Sequence, residues 1–122
     1  MNFFVCLYIL LIVILHLLPT GGYSFNTTKF GPFRADYLLH SVVFLPWMFL
    51  LLLRHKTNKP VRFQSGLIWM MLGLIMALVA EGIHYWLPYR SFNPMDGLFN
   101  ALGVVAGAVL VLGWQGIRKL IS

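Results

Sequence analysis

Residues 81–103 read EGIHYWLPYRSFNPMDGLFNALG. The stretch leaves one long apolar run and enters another, with Pro88 and Pro94 standing between them. It carries Glu81, His84, Arg90, Asp96 and Asn100 in a chain that has only 3 acidic residues in all. An ionisable group inside an apolar segment is costly wherever the surrounding medium is lipid. Its presence therefore asks for partners from elsewhere in the chain.

Outward from this stretch, four apolar runs are visible, at roughly residues 2–18, 36–53, 66–87 and 95–115, the last continuing toward Ile121. Each is near the length a helix needs to cross a hydrocarbon core at about 1.5 Å per residue. Backbone groups in lipid must bond within their own segment, so the runs read as helices. Of the 122 residues 60% are hydrophobic and 10% charged, against about 25% charged in soluble domains. The mean hydropathy is +0.83. A domain this small has too much surface to hide such a composition from water. The expected fold is an all-α integral membrane protein, four transmembrane helices in a compact bundle forming one domain over residues 1–122. The first run lacks a basic flank and exceeds a signal-peptide core, so it reads as a retained helix. His16, near its end, reads as interfacial.

The net charge of +6 has no soluble face to occupy, which argues against nucleic acid as a partner. It orients the bundle instead. Arg54, Lys56, Lys59, Arg62, Arg118 and Lys119 fall on one side, and Lys29, Arg34 and Arg90 on the other. Both termini are therefore expected to be cytoplasmic. The breaks fit: Pro19-Thr20-Gly21-Gly22 closes the first run, and residues 54–66 are polar, basic and free of acids. The single cysteine, Cys6, excludes an internal disulfide and a cysteine metal cage.

This topology puts Asp36, Glu81 and Asp96 at the outer ends of three helices. Helical spacing adds a polar neighbour to each: Asp36 with His40, Glu81 with His84, Asp96 with Asn100. Turned inward, with Arg90 and Arg34 supplying positive charge, they would line a polar pocket open to the outside. Asn93-Pro94-Met95-Asp96 also reads as a helix start, with Asn93 as cap and Pro94 at the first position. Gly103 and Gly107 lie on the Asp96 face, and Gly73 and Ala77 on the Glu81 face. These small residues predict close packing between the third and fourth spans. Pro46 should kink the second span or loosen its hydrogen bonding. Trp47, Tyr85, Trp86 and Trp114 read as interfacial anchors. Asp36, His40, Glu81 and His84 include metal-ligand types, but one Glu-x-x-His spacing recurs by chance, and no metal or other cofactor is expected. No serine sits in a nucleophile motif. A carboxylate–histidine acid/base pair stays chemically open.

The run of Glu81, His84, Pro88, Arg90, Phe92, Asp96, Asn100 and Gly103, together with Asp36 and His40 in ADYLLH, resembles the VanZ-like membrane protein family. The resemblance covers nearly the whole chain. Three positions depart from the family's common residues: His84 stands where glutamine is usual, Tyr37 where lysine is, and Ser41 where phenylalanine is. A pocket that works with glutamine does not need His84 as a metal ligand. The resemblance implies a bacterial cytoplasmic membrane protein of the cell envelope; the founding member is associated with low-level teicoplanin resistance. Three function classes follow. The first is binding of a membrane lipid headgroup or lipid-linked envelope precursor, with a co-purifying lipid lost on replacing Arg90. The second is a small membrane enzyme doing acid/base chemistry on such a lipid. The third is a structural partner whose polar cluster fixes helix packing. A homo-oligomer remains open.

Overall fold

The computed structural model describes residues 3–18, 29–54 and 61–121. Pro19–Gly22, Lys56 and Lys59 lie outside the described residues. Helix α1 covers Phe3–Leu17, α2 Ala35–Phe44, α3 Phe49–Arg54, α4 Phe63–Ile83 and α5 Pro94–Ile121. Single 3-10 turns, Leu45–Met48 and His84–Trp86, join α2 to α3 and extend α4. Three segments, Ala35–Leu53, Phe63–Trp86 and Pro94–Ile121, are long and apolar enough to cross a membrane. Helix α1 has 15 residues, about 22 Å, which is short of a typical hydrocarbon thickness of about 30 Å. Leu18 still pairs with Ile14 O, adding to its last turn. A two-residue antiparallel ladder, Lys29–Phe30 with Phe33–Arg34, leads into α2. Its turn uses Gly31 at φ 61, a left-handed conformation that glycine adopts without Cβ crowding.

Proline sets the middle of the second span. Pro46 has no N–H to give, and the chain answers with i→i+3 pairing, as in Phe49 N–H to Pro46 O. The tighter turn leaves carbonyls available to side chains of other helices. The Tyr8 hydroxyl of α1 donates to Val43 O. Trp69 Nε1–H of α4 donates to Trp47 O at 2.8 Å, and Trp47 Nε1–H returns the bond to Trp69 O at 2.9 Å. The two indoles stack, 5.1 Å apart and 19° from parallel. This corrects the reading of Trp47 as an interfacial anchor: it is 3% exposed. An indole can be buried once its one donor is satisfied. Tyr85, Trp86 and Trp114 are on the surface.

Gly103 and Gly107 sit where backbones meet, but their partner differs from the one expected. A Cβ on Gly103 would run into the Ser41 carbonyl, and one on Gly107 into the Leu45 carbonyl. Both therefore admit the second span, not the third. Helical spacing identifies a face, and which neighbour meets that face is a matter of tertiary packing. Gly73 makes room for the Trp47 ring, 2.6 Å from where its Cβ would be, and for Val104 of α5. Ala77 is fully buried. The core is Phe44, Trp47, Met48, Trp69, Ala77, Val104, Ala108 and Val111, joined by Val5 and Ile12 of α1.

Candidate functional site

The site grows from how α5 begins. Asn93 Oδ1 accepts the Met95 N–H at 3.1 Å, and Asn93 O takes the Asp96 N–H at 2.9 Å. That is an N-cap followed by proline at the first helical position, as expected from the motif. Asp96 Oδ1 then accepts from Asn93 Nδ2 at 2.9 Å. In a capping box an acid of the same helix would take the cap residue's own N–H. Here Glu81 of α4 takes it, with Oε1 2.8 Å from Asn93 N. The buried acid is thus the cap of a neighbouring helix.

Glu81 also faces His84: Oε2 lies 3.0 Å from Nδ1. The other ring nitrogen, Nε2, lies 3.1 Å from the His16 carbonyl. Glu81 and His84 are each 2% exposed and Asn100 is 0% exposed. On the α2–α5 side, His40 Nδ1 meets Asn100 Oδ1 at 2.9 Å, and its Nε2 is 3.6 Å from Asp96 Oδ2. His16 closes the group from α1. Its ring stacks on His84 at 5.6 Å and stands edge-on to His40 at 5.7 Å. Its Nδ1–H donates to Ile12 O at 2.8 Å.

Several expectations are corrected by this geometry. Asp36 does not pair with His40; it takes Arg34 through Nε at 3.1 Å and Nη2 at 2.5 Å, a two-point contact at the rim. That bond raises the Arg34 pKa above its ordinary value. The Arg34 guanidinium also sits 5.0 Å over Tyr37, which stacks on Phe99. Asp96 and Asn100 meet at His40 rather than standing as a pair of their own. The centre is closed rather than an open pocket, because Glu81, His84 and Asn100 are shut off by the helices that carry them. His16 is not interfacial but 5% exposed. The spacing of Val5, Ile12 and His16 along one buried stripe of α1 is the signal that could have placed it there.

Arg90 serves α1 instead of the acids. Its Nε donates to Leu18 O at 3.1 Å, and its Nη2 to Leu15 O at 3.0 Å and Leu18 O at 2.8 Å. Tyr89 OH donates to Leu17 O at 3.0 Å, and His84 serves His16 O. The last carbonyls of a helix have no partner within it and attract positive charge. The segment 84–90 supplies both to α1. Burial lowers the Arg90 pKa, and Glu81 and Asp96 oppose the shift; a guanidinium stays charged through it. Arg90→Ala removes three bonds at once and is expected to cost about 2–3 kcal/mol, read as lower thermal stability. Arg90→Lys should recover only part, since an ammonium cannot reproduce the fork. Unchanged stability in Arg90→Ala would rule out the clamp.

Among the described residues no group of three or more His, Cys, Asp and Glu side chains is arranged to hold a metal ion. What the site does hold is two carboxylate–imidazole contacts, Glu81–His84 and Asp96–His40, at one end of the bundle. A family model described as VanZ/LLP1 matches residues 3–115. No curated protein matches the chain, and no solved structure does.

Proposed function

The chain belongs to the VanZ/LLP1 family, and from that premise we propose that it is a multi-pass protein of the bacterial cytoplasmic membrane, termini inside, acting on the envelope. In this reading the polar end of the bundle faces outward. It engages an anionic lipid headgroup or lipid-linked envelope precursor and gives low-level glycopeptide tolerance, teicoplanin included. The observation that carries it is Arg34 at the rim of the polar bundle end, held by Asp36 through Nε and one Nη2–H only. The Arg34 side chain is 33% exposed. Two of its five N–H donors are not enough to commit the whole guanidinium to Asp36, and a phosphate matches the remaining fork.

The test is expression in a Gram-positive host, with teicoplanin and vancomycin susceptibility measured for wild type, Glu81→Gln and Asp96→Asn at matched membrane levels. Lipid retained on purification is measured for wild type and Arg34→Gln. Raised tolerance in wild type, lost in equally abundant variants, supports the envelope reading. Lipid lost from Arg34→Gln identifies the rim as the headgroup contact. No change in tolerance from wild type in that host counts against the resistance role.

A second reading, a structural partner whose polar cluster fixes packing, is favoured by a different observation. Glu81 to Asn93, His84 to His16 and His40 to Asn100 each join two separate segments of the chain. It predicts that the same variants fail to accumulate.

A further inference from the structure

Hydrogen bonding to backbone carbonyls determines where the protons of this site are. The His16 carbonyl can only accept, so His84 Nε2, at 3.1 Å from it, carries hydrogen and donates. A neutral imidazole has a single N–H, which leaves a lone pair on His84 Nδ1. That nitrogen lies 3.0 Å from Glu81 Oε2, an oxygen buried without a hydrogen-bond partner among the described residues. An ionised carboxylate is also acceptor-only, so two lone pairs would oppose each other in a place 2% exposed at both residues. One proton between them removes the conflict. It makes either a carboxylic acid against a neutral imidazole or a carboxylate against an imidazolium, and both couples have zero net charge. An uncompensated carboxylate buried at this depth would be far costlier.

The same reasoning fixes His16. Its Nδ1–H is committed to Ile12 O, so its Nε2 is a bare acceptor, buried and without a partner among the described residues. His16 stacks on His84. His40 lies 3.6 Å from Asp96 Oδ2 through Nε2. Its other neighbour is the Asn100 amide, which can present oxygen or nitrogen to the ring.

We propose that the polar end of the bundle is a proton-binding site, in which Glu81 and His84 hold one proton between them beside the bare His16 Nε2. The charged and titratable groups around it are His40 from α2, Asp96 from α5 and Arg90 from the connection before α5, with Arg34 and Asp36 beyond Asp96. The site is independent of any envelope ligand.

The experiment is nitrogen-15 NMR of the full chain in bicelles at pH 7, with histidine labelled and the Glu81 carboxyl carbon observed. Each ring is assigned by a His→Gln variant, and Glu81→Gln is compared with wild type. The expected result is a proton found within the couple: His84 Nδ1 protonated, or the Glu81 carboxyl protonated, with His16 bare at Nε2. In Glu81→Gln the amide can donate to Nδ1, so His84 should become a plain Nε2–H tautomer and the site should hold one proton fewer. An ionised Glu81 beside a bare His84 Nδ1 overturns the proposal. So does His16 with hydrogen on Nε2. If Glu81→Gln does not accumulate, the wild-type spectrum decides alone.

Discussion

Gly103→Val is expected to prevent the folded protein from accumulating in the membrane. The added Cβ would enter the space of the Ser41 carbonyl. A backbone carbonyl inside a helix cannot swing away as the tip of a side chain can, so α5 must lift off α2. The separation would break the Ser41 Oγ–H to Phe99 O bond, now 2.9 Å. It would also break the His40–Asn100 contact one turn away. Overpacking costs reach about 3 kcal/mol, and close small-residue contacts carry much of helix association where lipid is the solvent. The folded-to-unfolded ratio should therefore fall by roughly a hundredfold, since about 1.4 kcal/mol is a factor of ten. Gly113→Val is the control. A Cβ there meets nothing within 4 Å, and accumulation should stay at the wild-type level. Size-exclusion profiles of detergent-solubilised membranes measure both. Equal yields from the two variants would show that α5 does not approach α2 as closely as described.

The same contrast explains what the sequence could and could not reveal. Local features were legible. The apolar runs predicted the helices, Pro46 predicted a disturbance in the second span, and Asn93-Pro94-Asp96 predicted the start of α5. All of these depend on residues within a turn or two of each other. Partners across helices were not legible. Helical spacing placed Asp36 and His40 on one face, yet Asp36 found Arg34 two residues away and His40 found α5. Arg90 looked like a counter-ion for the acids because charge was the only property visible. The orphan carbonyls at the end of α1 are a property of helix termini, and nothing marks in one dimension that residues 15–18 meet residue 90. His16 and Trp47 read as interfacial because amphipathic side chains often sit there. Both are buried since each found a backbone carbonyl for its N–H.

Glu81→Ala and Glu81→Gln should separate the two things Glu81 does. Alanine leaves the Asn93 N–H without its acceptor and His84 Nδ1 without its counterpart. It also opens space beside Gly97, whose Cβ position lies 3.5 Å from Glu81 Cβ and Cγ. Breaking one side of a buried ionic contact costs about 3–5 kcal/mol, so Glu81→Ala should lower the folded-to-unfolded ratio at least a hundredfold. Glutamine keeps an oxygen for Asn93 and offers an N–H to His84. Its fold should survive with a loss of about 1 kcal/mol, within the range of a single net hydrogen bond. Thermal unfolding in detergent reads the difference directly. If glutamine destabilises as much as alanine, the negative charge itself holds the bundle end together, and the couple is an ion pair of fixed protonation. If glutamine is stable and glycopeptide tolerance still disappears, the fold needs the hydrogen bonds of Glu81 and the function needs its proton.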